Sequence, residues 1–243
     1  MSIRTEPTDR WVRAYVGDVA VADTRKPLLF WDEGVPVPFY AIPRGDVRAD
    51  LLRPAEQERR GHPFFGAKGP VSELFDVVVG DRTLPRAAWV RADPALDGHV
   101  VLTFEPGVLD RWTEEDEEVW GHPKDPHHRV DALHSSRHVV LSHDGDVVAE
   151  TRRPVLLFET NLPTRFYLPR EDVKVELKPS ELHTYCAYKG EASYWSVDGE
   201  ENLVWGYEAP LPDAAGLEGR VAFYDDRVDV IVDGVRRKEP RPF

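Results

Sequence analysis

The side chains best suited to chemistry in this chain are gathered in residues 183–195, where its single cysteine lies. Cys186 follows His183 by three residues and precedes Lys189 by three. A cation beside a cysteine stabilises the thiolate, the nucleophilic form of this side chain. We therefore take Cys186, Lys189 and His183 as candidate catalytic residues. We expect this stretch to be a loop that leads into a strand. Residues three apart in a strand lie on opposite faces, so the three side chains could converge only across a bend, for which Gly190 and the preceding aromatics leave room.

Each of these residues also has a purely structural interpretation. Free cysteine is among the most buried residue types and behaves as a small apolar side chain. Lys189 could form an ion pair with a carboxylate such as Glu171 or Asp172, and a histidine in a folded domain is more often structural than catalytic. Both interpretations stay open on the sequence alone.

The composition limits the classes of protein to which this chain can belong. At 243 residues it has room for one large domain or two small ones, and its 21 prolines and 17 glycines interrupt it too often for long helices. A formal charge of −13 without a basic cluster argues against nucleic acid as a partner, since affinity for phosphate backbones comes from clustered Lys and Arg. One cysteine excludes a disulfide framework and a zinc site built from several thiolates.

The chain also shows no sign of membrane association. No apolar run reaches the roughly 18 residues that a membrane-spanning helix needs, and the first residues lack the apolar core of a signal peptide. We therefore expect a cytoplasmic protein that does not bind a membrane. We also predict no metal and no other cofactor.

Comparison of the chain with itself indicates a tandem duplication. Residues 21–30 align with residues 148–157 without a gap. The alignment continues through further equivalent residues, namely Tyr40 and Tyr167, Arg44 and Arg170, His62 and His183, Lys68 and Lys189, and Trp89 and Trp205. A lysine therefore persists in the first copy although the cysteine does not.

Each copy is predicted to be an all-β module of roughly 100 residues, which is a usual size for a domain. Asp144-Gly145 is a strong hairpin signal between two runs of apolar residues. Val228, Val230 and Val232 alternate with polar neighbours, the period expected of a half-buried strand.

The composition changes sharply between the copies. We predict domains at residues 1–112 and 136–243, joined by an acidic and histidine-rich linker at residues 113–135. The acidic run that opens the linker predicts a capped helical turn. Six of the nine histidines fall in this linker and in the strand after it, at positions 122, 127, 128, 134, 138 and 143. His134 and His138 have helical i,i+4 spacing, but a solvated connector is the preferred interpretation over a metal site.

Several motifs of the second copy carry a resemblance to a known family. These motifs lie at residues 152–154, 166–173, 186–194, 205–207 and 219–224. The second copy resembles the DUF427 family, which also carries a nucleotidyltransferase-like label, over residues 137–236. The first copy, residues 11–112, resembles the same family less closely, with Phe65 at the place of Cys186 and Glu73 at the place of Tyr194.

The resemblance implies two repeated β domains of the β-tent or Mss4-like group, which we expect to be related by a pseudo-two-fold axis. Several members of that group bind zinc through four cysteines, which this chain lacks. The resemblance implies no particular activity, and function has to be argued from the site.

We expect a cofactor-independent enzyme or binding protein for a small polar or anionic metabolite, bound in a pocket of the second copy or between the copies. The candidate ligand-binding residues are Arg170, Tyr167, Tyr194, Trp205, Tyr207, Tyr40, Arg44, His62 and Lys68. The alternatives are a non-catalytic protein-interaction module and, third, a nucleotide-handling enzyme. A monomer or a homodimer is expected.

Overall fold

The computed structural model describes residues 3–56, 65–197 and 199–237. The chain divides into two compact units, Met1–Asp125 and Pro126–Phe243. Each unit is described by itself below. Within the described ranges, no helix is long and apolar enough to cross a membrane.

The first unit is built from short antiparallel strands. They are β1 (Arg4–Pro7), β2 (Val12–Val16), β3 (Val19–Thr24), β4 (Leu28–Trp31), β5 (Phe39–Pro43), β6 (Leu52–Pro54), β7 (Val71–Val79), β8 (Arg82–Arg91), β9 (His99–Leu102), β10 (Arg111–Glu114) and β11 (Glu117–Val119). Short 3-10 helices lie at Arg44–Asp46, Ala49–Leu51 and Pro94–Leu96. The strands form a seven-stranded sheet in the order β1-β4-β5-β9-β8-β7-β6 and a four-stranded sheet in the order β11-β10-β2-β3.

The second unit repeats this architecture strand for strand. Its strands are β12 (Val130–His134), β13 (Val139–His143), β14 (Asp146–Thr151), β15 (Val155–Glu159), β16 (Arg165–Pro169), β17 (Lys178–Cys186), β18 (Gly190–Val197), β19 (Glu200–Gly206), β20 (Arg220–Phe223), β21 (Asp229–Val232) and β22 (Val235–Arg236). Short 3-10 helices lie at Arg170–Asp172 and Pro212–Leu217. The sheet orders are β12-β15-β16-β20-β19-β18-β17 and β14-β13-β21-β22. The predicted all-β fold and the duplication are thereby confirmed.

The local turn signals act as the sequence predicts. Asp144 and Gly145 have φ of 51° and 93° and join β13 to β14, because a two-residue hairpin turn needs left-handed backbone at both positions. In β21, Val230 and Val232 are buried and alternate with more exposed neighbours. The predicted strand period is confirmed there.

Each seven-stranded sheet buries side chains on both faces. One face packs against the four-stranded sheet and forms the larger apolar cluster of the unit. The other face, which we call the outer face, carries a second and smaller cluster. In the second unit the helix Pro212–Leu217 contributes Ala214 and Leu217 to the outer-face cluster.

Both ends of the predicted linker belong to strands of the two units. Residues 113–114 end β10, which pairs with β2 and β11, and residues 130–134 form β12, which pairs with β15. The predicted helical turn after Thr113 is wrong, since this segment is a β-hairpin whose acidic side chains lie on its two strands and in the turn between them. His134 ends β12 and His138 precedes β13, so their helical spacing has no structural meaning.

Candidate functional site

Cys186 lies at the end of a β-hairpin rather than in a loop that leads into a strand. β17 ends at Cys186 and β18 begins at Gly190, whose φ of 93° allows the tight turn between them. Cys186 and Thr184 pair with Gly190 and Ala192 and project to the outer face, because alternate residues of a strand share a face. Cys186 is partly buried and packs against the outer-face cluster.

His183 is not brought together with Cys186. The strand runs straight through both residues, so their side chains project to opposite faces. His183 Nδ1 lies 2.9 Å from Glu191 Oε1 in an exposed pair. The expected convergence of the histidine on the thiol is therefore wrong, because the bend at Gly190 comes after Cys186 instead of between the two residues.

Aromatic residues with polar tips line the outer face next to Cys186. Four of those predicted from the sequence are buried there: Tyr167, Tyr194, Trp205 and Tyr207. Trp205 Nε1 donates a hydrogen bond to the Tyr167 hydroxyl over 3.0 Å, and Thr184 Oγ1 lies 2.8 Å from the Tyr194 hydroxyl. Tyr224, which the sequence did not single out, packs on Trp205 with ring centroids 4.6 Å apart.

The phenols of this face are held in their protonated form. Burial raises the pKa of Tyr167 and of Tyr207 far above the ordinary value, and nearby acidic groups including Cys186 and Glu159 add to the effect. Burial together with Tyr194 raises the pKa of Tyr224 to about 12. Tyr207 is only 6% exposed, and its hydroxyl makes no hydrogen bond within the described part of the chain. The hydroxyl is not one of the fully buried polar atoms that lack a partner, so it is an uncommitted donor that solvent can reach.

Lys189 forms a buried ion pair with a residue that the sequence did not suggest. Its Nζ lies 2.6 Å from Glu159 Oε2, and both side chains are less than a tenth exposed. His128 Nε2 lies 3.5 Å from the same oxygen, and its ring stacks on Tyr188 at 4.4 Å. The expected partners Glu171 and Asp172 instead contact another cation, Arg153.

Glu159 carried a signal in the sequence, whereas His128 did not. Asp32 follows the gapless repeat in the first copy as Glu159 follows it in the second, so an acid at the end of this strand is common to both. The first-copy position equivalent to His128 comes before β1, and the alignment of the two copies does not extend to that position. His128 was assigned to the connector, and only its packing on Tyr188 places it at the site.

The first unit holds its equivalent acid with a cation from a different position. Arg91 donates to Asp32 from Nε over 3.0 Å and from Nη2 over 3.2 Å, and both side chains are buried. Trp89 and Trp205 occupy equivalent places, facing Val101 and Ala222 on the neighbouring strands. Two residues further along, Arg91 therefore stands where Tyr207 stands in the second unit.

Strand register corrects two equivalences of the sequence alignment. Leu74 lies opposite Trp89 as Tyr194 lies opposite Trp205, so Leu74 and not Glu73 takes the place of Tyr194. Ile42 pairs with Val100 as Leu168 pairs with Val221, so the residue before Ile42, Ala41, takes the place of Tyr167.

Tyr40 is consequently not a second ligand-binding tyrosine. A slip of one residue moves a side chain to the other face of a sheet. Tyr40 lies in the inter-sheet core, where its hydroxyl donates to Glu114 Oε1 over 2.8 Å and accepts from Arg10 Nη1 over 3.2 Å. The outer-face cluster of the first unit is apolar apart from the buried Arg91–Asp32 pair, and Trp89 Nε1 is buried there with no acceptor among the described residues.

The two predicted arginines lie away from Cys186. Arg170 contacts Glu208 at 2.9 Å and stacks on Trp195 at 4.2 Å, and Trp195 belongs to the inter-sheet core rather than to the outer face. Arg44 binds Glu73 through two hydrogen bonds of 2.5 and 2.8 Å at the surface. Each arginine has a carboxylate partner at the surface.

The two remaining candidates belong to the first copy. Lys68 lies in the loop before β7, beside Gly69. His62 lies outside the described residues. Among the residues that are described, no group of three His, Cys, Asp or Glu side chains is placed to hold a metal ion.

A groove of about 810 Å³ in the second unit includes none of the predicted site residues. It lies between the β13–β14 hairpin and the β20–β21 connection, and its lining includes His143, Asp225, Arg227 and Arg236. Its charged groups are largely paired with one another or with near neighbours, as in the contact of Arg165 Nη1 with Asp225 Oδ1 at 3.0 Å.

Taken together, the fold and the site define a duplicated all-β protein. The outer face of one copy carries phenols and a partly buried thiol, and the outer face of the other carries apolar side chains and a buried arginine–aspartate pair. The model of the family described as a domain of unknown function, DUF427, matches residues 4–115 and again residues 131–234. The chain belongs to the DUF427 family and contains two copies of its domain. Among curated proteins, none matches the chain.

Proposed function

We propose that the second unit binds a small polar molecule on its outer face, in contact with Tyr207 and Cys186, and that the protein is a cofactor-independent enzyme or binding protein for that molecule. In this proposal Tyr167, Tyr194, Trp205 and Tyr207 surround the ligand. Cys186 lies at the rim, where its thiol can contact the ligand or attack it.

The observation that carries this proposal is the Tyr207 hydroxyl. The Tyr207 residue is 6% exposed, and its hydroxyl is neither hydrogen-bonded to a described residue nor one of the fully buried polar atoms that lack a partner. The hydroxyl therefore reaches the surface of the outer face with its proton uncommitted, and an oxygen of a ligand can accept a hydrogen bond from it there.

The first unit supports the proposal as an internal comparison. It has the same strand order, yet Ala41, Leu74 and Arg91 replace Tyr167, Tyr194 and Tyr207. The sheet therefore folds without the phenols and without the thiol. Residues that the fold does not require, and that are gathered on one face, are best explained by contact with a ligand.

The test uses the single thiol as a reporter. We expect iodoacetamide to label Cys186 in the native protein, as followed by intact mass, and a fraction of a small-metabolite mixture to slow this labelling. Tyr207→Phe should abolish the protection without changing the fold. Tyr185→Phe is the matched control, because Tyr185 lies on the same hairpin but projects to the opposite face from Cys186.

Two results would argue against the proposal. Labelling that occurs only after denaturation would make Cys186 a core residue. Protection that survives in Tyr207→Phe would place the ligand elsewhere.

The alternative, a protein-interaction module, is favoured by one feature of the same hairpin. β17 is nine residues long and, in the described sheet, pairs only with β18, while Leu182 and Tyr185 are 40% and 41% exposed. An open strand edge with apolar side chains can pair with a second chain. Light scattering that shows a concentration-dependent dimer, lost in Leu182→Lys, would support this alternative. A monomer at every concentration, with ligand-protected Cys186, would decide for the binding site.

A further inference from the structure

We infer that the ligand is neutral and offers a carbonyl-type acceptor oxygen, and that Lys189 acts as the counter-ion of Glu159 and does not contact the ligand. This inference rests on the proposed function, since it specifies the ligand of the same site. Of the two interpretations of Lys189 that the sequence left open, a catalytic residue and the partner of a carboxylate, it takes the second.

The first argument is the charge balance around the phenols. Lys189 is paired with Glu159, and Arg165 is paired with Asp225. His128 Nε2 lies 3.5 Å from the same Glu159 oxygen without forming a hydrogen bond, and its imidazole counts as a cation only when it is protonated. Burial of an anion is favourable only where an unpaired cation or several donors compensate it. Around Cys186 and Tyr207 the lysine and the arginine each already face a carboxylate, so a neutral ligand fits better.

The second argument is the nature of the free donor. Tyr207 and Tyr167 are protonated near neutral pH, as phenols ordinarily are, and burial raises the pKa of both further. A protonated phenol donates to an oxygen lone pair, and a carbonyl oxygen accepts such a bond without bringing a charge into the buried face. Trp205 Nε1 already donates to the Tyr167 oxygen, which leaves the Tyr167 proton available to the same ligand.

The third argument is that the cation neutralising the buried acid comes from a different position in each unit. In the first unit the buried acid, Asp32, is held by Arg91, which occupies the position of Tyr207. In the second unit Lys189 holds the equivalent acid, Glu159, from the turn before β18. The cation has thus moved to another position of the sheet, and position 207 is left to a phenol. Because Lys189 neutralises Glu159, position 207 does not have to hold a cation and can hold a tyrosine. The ion pair with Glu159 also accounts for Lys189 without any contact with a ligand.

The test compares two reagents of similar size on the single cysteine. Iodoacetamide is neutral and presents an amide carbonyl, whereas iodoacetate is an anion. In both reactions sulfur forms a bond to carbon, the carbon–iodine bond breaks, iodide leaves with the electron pair and the thiol proton passes to the buffer. The quantity measured is the ratio of the two labelling rates, divided by the same ratio for the denatured protein, which removes the intrinsic difference between the reagents.

We expect the native ratio to exceed that of the denatured protein by about five- to tenfold, the scale of one hydrogen bond. Tyr207→Phe should lower the ratio to that of the denatured protein. Lys189→Met combined with Glu159→Gln removes both charges and should keep the native ratio. Glu159→Gln alone leaves Lys189 as an unpaired cation and should shift the preference toward iodoacetate.

The outcomes separate the inference from the proposed function. A double variant that folds, as judged by circular dichroism, but loses the preference would show that Lys189 contacts the ligand and would overturn the inference. A native preference for iodoacetate would overturn it as well. If the native thiol reacts with neither reagent, the proposed function itself fails. The double variant also protects the test against misfolding, because neither charge is left buried without its partner.

Discussion

Trp205 Nε1 donates to the Tyr167 hydroxyl over 3.0 Å, whereas Trp89, at the equivalent position of the first unit, has no acceptor because Ala41 takes the place of the tyrosine. Both indoles are buried in sheets of the same strand order. The fold therefore tolerates an indole N–H without a partner. The Trp205–Tyr167 hydrogen bond of the second unit is a feature of the candidate site. It adds stability that the sheet itself does not require.

The first prediction concerns that bond. Tyr167→Phe leaves the buried Trp205 N–H unsatisfied and should lower the free energy of unfolding of the second unit by about 1–3 kcal/mol. Urea denaturation followed by tryptophan fluorescence would measure it. Combining the change with Trp205→Phe in a double-mutant cycle isolates the coupling between the two side chains. Additive effects of the two changes would contradict the hydrogen bond.

The second prediction compares two glycines of the first unit. A Cβ at Gly69 would lie 2.3 Å from Arg91 Nη2, and this guanidinium is fixed by Asp32 and by the carbonyl of Pro70. Gly80 has almost the same φ, +57° against +55°, with open space at its Cβ position. Gly80→Ala should cost about 1–2 kcal/mol from left-handed backbone alone.

Gly69→Ala should cost about 1–3 kcal/mol more than that, because the methyl group forces Arg91 off its partners. Urea denaturation of the two variants gives the comparison. Equal losses would show that the Arg91–Asp32 pair is not held rigidly.

The third prediction is a pH dependence in the first unit. Arg82 and the backbone N–H of Gly17 lower the pKa of Asp110 from 3.8 to about 2. A carboxyl group whose pKa is lower in the folded state stabilises the fold above its unfolded pKa, and this contribution is lost as the pH falls through the folded pKa. The melting temperature of the native sequence should therefore exceed that of Asp110→Asn above pH 4. The difference should shrink between pH 4 and pH 2, and a constant difference would contradict the assignment.

The fourth prediction concerns the phenols of the outer face. Burial and contact with Tyr194 raise the pKa of Tyr224 from 10 to about 12. A raised pKa contributes stability below the unfolded value, and that contribution is lost as the pH rises through the folded value. In an absorbance titration that follows phenolate formation, Tyr224 should contribute almost nothing below about pH 11. The titration curves of the native protein and of Tyr224→Phe should therefore coincide up to that pH. An absorbance step near pH 10 that is present in the native protein and missing in Tyr224→Phe would show that the Tyr224 hydroxyl is exposed to water.

Local features of the sequence determined the fold class. The duplication, the strands and the Asp144-Gly145 hairpin follow from alternation and turn chemistry, which act over a few residues. The aromatics Tyr167, Tyr194, Trp205 and Tyr207 were named from the sequence as ligand-binding candidates, and the structure places them in one cluster with Cys186.

The tertiary structure decided which of these side chains meet. Whether Tyr40 matches Tyr167, and whether His183 reaches Cys186, depends on register, and a shift of one residue reverses the face of a strand. The partner of Lys189 was equally beyond local reasoning, since Glu159 lies 30 residues earlier in the chain and is brought to it only by the folded second unit. The sequence by itself thus determined the strands and the set of reactive residues. The folded sheet decided which face each residue occupies and which charge neutralises it, because pairing between distant strands sets both.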